Sequence, residues 1–147
     1  MSKIVPTISS GTAGPLGVLH LPRFWQKVSL DAVGKLHDDY PACGAGYDQM
    51  TLDALGLDKD ATVGYIKSNK PTYIQFESWV LQQKGGALDP AAVKAHNDAV
   101  IGYIHDDGTR GEILGSCGLD DGSCGFRDAV NLNNLDDWQL FYQSEIA

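Results

Sequence analysis

Three residues that carry or can take up positive charge, His20, Arg23 and Lys27, stand close together in the segment HLPRFWQK, residues 20–27. Arg23 and Lys27 are four apart and share a helix face, where two cations repel by a few tenths of a kcal/mol. Pro22 suits the first helical turn, and that places His20 and Arg23 at the end where the helix dipole is already positive. Two arrangements relieve the excess. In one, carboxylates of the same chain do so: Asp31, four residues beyond Lys27, and Asp48, brought back onto Arg23 by a second helix. In the other, the free N–H groups of the helix start and the forked guanidinium hold a small anion. Arg23 is then the anchor and Lys27 and His20 are secondary contacts. Trp25 lines the pocket, and Tyr40, Cys43 and Asp48 are polar groups on the facing wall.

A catalytic version of that site uses Cys43, Asp48 and His20. Cys43 lies just before the second expected helix in YPACGAGYD, and a thiol near a helix N-terminus can be acidified into a nucleophile. The plainer alternative is a buried, inert cysteine. GAGYD lacks the preceding strand and the third glycine of a dinucleotide fingerprint, so a flexible turn explains it and no cofactor is expected. No metal site is expected either. Cys117 and Cys124 are too widely spaced for a zinc pair, and HDDG and DDGS lack the ordered oxygen ligands of a calcium loop. Both fit acidic turns. His96 falls on an apolar helix face and fits a core histidine.

The chain has 147 residues, 43% of them hydrophobic and 20% charged, the composition of a folded globular protein. A formal net charge of −8 argues against a nucleic-acid partner, which needs a basic face. No apolar run is long enough for a membrane span. The first residues hold no apolar run of signal-peptide length, and three cysteines make no framework, so a reducing cytoplasm is expected. Nothing in the residues fixes an oligomeric state.

The elements that would position these groups are helical. Residues 1–19, rich in Ser, Thr, Gly and Pro, read as an extended arm. Trp25, Val28, Ala32, Val33 and Leu36 form the apolar face of a first helix that ends before Pro41. A short second helix near Asp48–Leu55 stops at Gly56. Asp58 caps a third near 59–68, with Val63 and Ile66 inward. Thr72 and Gln75 form a capping box before Phe76, Trp79 and Val80, in a helix that stops at Gly85-Gly86. Asp89-Pro90 starts the next, whose face holds Val93, His96, Val100, Tyr103 and Ile104. Residues 106–125, with six glycines, read as a loop with at most a turn at 112–114, and a final helix starts near Asn134. The expectation is an all-α single domain, 1–147, of about five to six helices.

The order of LGVLHLPRFWQK, Cys43, Asp48, the LGL turn (55–57) and Trp79 resembles a bacterial family of unknown function, number five-zero-six-nine of the domain-of-unknown-function series. The matching positions are Gly17, Leu21-Pro22-Arg23, Lys27 and Leu55-Gly56-Leu57, over roughly residues 8–100. Gln26 stands where that family usually has Asp, and Gly44-Ala45-Gly46 lengthens the Cys43–Asp48 spacing. The resemblance implies a small helical fold and brings no established chemistry. Two functions are therefore expected in competition: binding or conversion of a small anionic metabolite at His20, Arg23 and Lys27, or a non-catalytic interaction or regulatory module in which these residues form structural ion pairs.

Overall fold

Five of the helices begin at a side chain that accepts from one of their first N–H groups. The computed structural model describes residues 3–147 and is all-α, with seven helices and no strand among those residues. The helices are α1 (Leu21–Ala32), α2 (Tyr47–Leu55), α3 (Lys59–Asn69), α4 (Tyr73–Gln83), α5 (Pro90–Gly102), α6 (Asp107–Ser116) and α7 (Ala129–Glu145). Asp58 accepts from Ala61 N, and Asp89 accepts from Ala91 N ahead of Pro90. Gly56 ends α2 in the left-handed conformation, φ 65°, that glycine adopts without strain. Both halves of the Thr72/Gln75 capping box form. Thr72→Ala is expected to lower the unfolding free energy by about 1 kcal/mol, measured by urea denaturation.

The main core surrounds α1. Val18, Leu21, Phe24 and Val28 meet Leu52, Leu55, Ile66, Phe76 and Val80, all buried. This is the apolar face of α1, displaced from the expected stripe: Val33 is exposed and lies just past the helix end. A smaller cluster joins Ile113 and Leu114 of α6 to Leu132 of α7.

The N-terminal segment is docked rather than free. Ile4 bridges Leu36, Ala13 bridges Leu19, and Val5, Ser10 and Val18 are buried. Gln26 clamps it from α1, accepting from Thr7 N (2.9 Å) and Ile8 N (3.2 Å) and donating to Thr7 Oγ1 (2.6 Å). An aspartate at position 26 has no N–H for the third of these bonds.

Two expectations at the C-terminal end are corrected. The glycine-rich stretch holds α6, so the described residues form seven helices. Asp106 caps it through Thr109 N (2.7 Å), and the buried Arg110 ties its side to Cys124 O, Phe126 O and Asp121. Those contacts and the burial of Ile113 and Leu114 offset the cost of Gly108, Gly111 and Gly115 in the helix, about 1 kcal/mol each relative to alanine. The last helix starts at Ala129, capped by Asp128 through Asn131 N (3.0 Å), and not near Asn134. Trp138 and Phe141 face outward, as do Tyr103 and Ile104, which lie beyond the end of α5.

Candidate functional site

Arg23 and Lys27 lie on one face of α1, four residues apart, with His20 at the cap position just before it, and together they form the floor of a cleft of about 680 Å³. Four other segments close around it: Ser10 from the docked N-terminal segment, the loop from Asp39 to Gly46, the start of α2, and a stripe of α7 comprising Ala129, Asn133, Asp136 and Asp137. Tyr103 and His105 complete the rim.

Two buried charge clusters make up the floor. In the first, Asp48 Oδ1 accepts from His20 Nε2 (2.6 Å), and Oδ2 accepts from Lys27 Nζ (2.6 Å) and Gly44 N (2.8 Å). Burial alone would raise the Asp48 pKa, but the His20 hydrogen bond and the Lys27 charge outweigh it and hold it near 2. Burial pushes His20 the other way, below its ordinary value, despite the hydrogen bond to Asp48. The ring is therefore neutral at pH 7. His20 Nδ1 lies 2.9 Å from Ser10 Oγ.

In the second cluster Arg23 grips Asp137 with both terminal nitrogens, Nη1 to Oδ2 (2.6 Å) and Nη2 to Oδ1 (3.1 Å), and donates to Ile8 O (2.9 Å). Tyr40 donates to the same carboxylate (2.7 Å). Burial and that carboxylate push the Tyr40 pKa up, so its hydroxyl stays a donor.

The cations of the helix start are thus balanced from within. Arg23 pairs with Asp137, 114 residues away, and not with Asp48, which takes Lys27 and His20 instead. Asp31 does not help Lys27; it pairs at the surface with Lys67. The remaining charge facing the cleft is negative. Asp39, Asp48, Asp53, Asp136 and Asp137 line it against Arg23 and Lys27. Asp136 is half-buried, and burial, with Asp137 and Asp39 nearby, raises its pKa. Lys27 donates to Asp48 alone among the described residues, which leaves donors for a ligand oxygen.

Five of the sequence-derived candidates, His20, Arg23, Lys27, Tyr40 and Asp48, converge on the cleft. Two do not. Trp25 turns away, its Nε1 donating to Pro71 O (3.0 Å) and its ring edge-on to Tyr73. Cys43 packs half-buried against the main core outside the cleft lining. Its pKa is raised, by burial first and then by the Asp48 carboxylate, opposite to the acidification expected at a helix start. His96 bonds Leu19 O (3.0 Å) through Nε2, while its Nδ1 has no partner among the described residues; it does not line the cleft.

Ser10, Asn133, Asp136 and Asp137 were missed. The α7 residues fall with Ala129 at helical spacing, a polar stripe that the sequence does carry. No signal marks Ser10.

No protein-family model matches the chain, and no curated protein matches it.

Proposed function

We propose that the protein binds a small molecule in the cleft above His20, Asp48 and Lys27. The observation that carries this is the convergence of five separated chain segments on one concave site floored by two buried charge clusters. Buried ion pairs give little net stability over well-packed apolar residues of the same volume, so packing alone does not call for them here.

The geometry favours a ligand of the opposite charge to the one expected from the helix start. An anion would have to displace Asp137 from Arg23 while facing three further carboxylates, Asp39, Asp53 and Asp136. A neutral or cationic molecule meets no such competition. Its positive or donor end fits beside Asp136 and the rings of Tyr47 and Tyr103, and an acceptor oxygen fits at Lys27. The resemblance to the family of unknown function is consistent with the helical fold and adds no chemistry.

A thermal-shift screen tests this with small primary amines and guanidines against size-matched carboxylates and phosphates. Amines are expected to raise the melting temperature in a concentration-dependent way, with stabilisation of about 2.7 kcal/mol at a hundredfold excess over Kd. Asp136→Asn should weaken the shift. Stabilisation by the anions alone would restore the anionic ligand. No shift from either series would favour the interaction module, for which exposed Trp138, Phe141 and Tyr142 on α7 are the surface feature.

A further inference from the structure

We infer that Ser10, His20 and Asp48 form a nucleophile–base–carboxylate relay, and that the cleft transfers the acyl group of a small carboxylic ester to water. This rests on the cleft being a small-molecule site. The relay follows from hydrogen-bond accounting. An ionised carboxylate only accepts, so the 2.6 Å contact with Asp48 puts the imidazole proton on Nε2. The neutral ring then has its lone pair on Nδ1, and Ser10 Oγ, 2.9 Å away, donates to it. The serine proton therefore already points at a base, and the base is oriented by a carboxylate, the roles that define such a relay on any fold. The ring is turned end for end relative to the usual arrangement, but either nitrogen can take a proton.

Two further features fit. His20 is held at φ 72°, a left-handed conformation strained for any residue with a β-carbon, and such strain clusters at functional sites. The start of α2 has no side-chain cap, because Gly46 occupies the cap position, and Gly46 and Tyr47 line the cleft. Those first N–H groups, left without a side-chain acceptor, are available to a substrate oxygen in the cleft.

Ser10 Oγ bonds the carbonyl carbon as its proton passes to His20 Nδ1, and Asp48 stabilises the imidazolium. The bond to the alcohol breaks, and the alcohol leaves with that proton. Water attacks the acyl-serine, its proton passing through Nδ1 back to Ser10 Oγ, and the acid is released. Asp48 is a positioning residue in this scheme.

The test is labelling of the folded protein with a fluorophosphonate, read by intact mass and peptide mapping. One probe should add per chain, at Ser10, with loss of fluoride. Ser10→Ala should abolish the adduct, and His20→Gln should slow labelling by at least about 100-fold. In Asp48→Asn labelling should slow, and the midpoint of its pH profile should move to lower pH, because the carboxylate no longer favours the imidazolium. Ser10→Ala removes only a hydroxyl and keeps the comparison independent of folding, checked by circular dichroism. No adduct at Ser10 in folded wild type, or an adduct indifferent to His20→Gln in the folded variant, overturns the relay. If amines still stabilise both wild type and Ser10→Ala while no adduct forms, the relay falls and the ligand cleft stands. If neither stabilisation nor labelling occurs, both fall.

Discussion

Replacing Asp137 with alanine is expected to lower the unfolding free energy by about 3–5 kcal/mol, the usual consequence of removing one partner of a buried ion pair. Arg23 and Asp137 are both more than nine-tenths buried, so water cannot take over the lost contacts without opening the structure. Arg23 would keep only Ile8 O, and the Tyr40 hydroxyl would lose its acceptor. Domains of this size are stable by about 5–15 kcal/mol, so the variant would stand near unfolding. The damage comes from the stranded charge and not from the loss of a strong bond. The triple variant Arg23→Met, Tyr40→Phe, Asp137→Leu should therefore recover most of the loss, since apolar replacement of a whole buried pair is often neutral. Urea denaturation of both variants checks this. A loss below about 1 kcal/mol in Asp137→Ala, the scale of an exposed pair, would mean that the cluster is solvated.

Asp48→Ala is the second large effect, again about 3–5 kcal/mol, because it strands the buried Lys27 ammonium and removes the acceptor of His20. Lys27→Met in the same background should restore part of it. The pH dependence separates this carboxylate from the others. Its folded pKa, near 2, lies below the unfolded value near 3.9. Its stabilisation is therefore complete above about pH 4 and is lost as pH falls through the folded value near 2, by about 2–3 kcal/mol in all. His20 acts in an earlier window. The unfolded imidazole gains a proton near pH 6.5, which the buried one resists, so stability also falls as pH drops below that value. Wild type should therefore lose stability in two steps on acidification, and Asp48→Ala should show a smaller lower one, with Asp38 and Asp106, also lowered, keeping their share. An unchanged slope between pH 4 and 2 in the variant would contradict the assignment.

What the sequence discloses here depends on how local the cause is. The starts of α3, α4 and α5 are written in Asp58, Thr72 with Gln75, and Asp89-Pro90, because a cap acts within three residues. The stop at Gly56 is local too. In α6, three glycines outweigh the Asp106 cap on any local scale, and only the tertiary contacts of Arg110 and Leu114 reverse that balance. The start of α7 is hidden for a related reason. Asn131, Asn133 and Asn134 are poor helix formers, and its apolar residues fall on all sides, from buried Leu132 to exposed Trp138.

The site follows the same rule. That Arg23 and Lys27 share a face, with His20 just before it, is legible from the spacing, as is Asp48 as a facing carboxylate. Which carboxylate meets which cation is not, because a choice between Asp48 and Asp137 for Arg23 is made by the packing of α7 against a segment over a hundred residues earlier. The ligand charge proposed for the cleft follows from that choice. Ser10 was hidden because a serine in a Ser-Gly turn has no distinguishing neighbour until the N-terminal segment docks.

The chemistry assigned to the cleft turns on the state of His20, which nitrogen-15 NMR of labelled protein reads directly. At pH 7 the ring should be neutral, with the proton on Nε2 and a bare Nδ1, and it should take up its second proton at a pH below the ordinary 6.5; Ser10→Ala should shift the Nδ1 resonance as its hydrogen bond is lost. An imidazolium at pH 7, or a proton on Nδ1, would contradict the relay and the hydrogen-bond network beneath it.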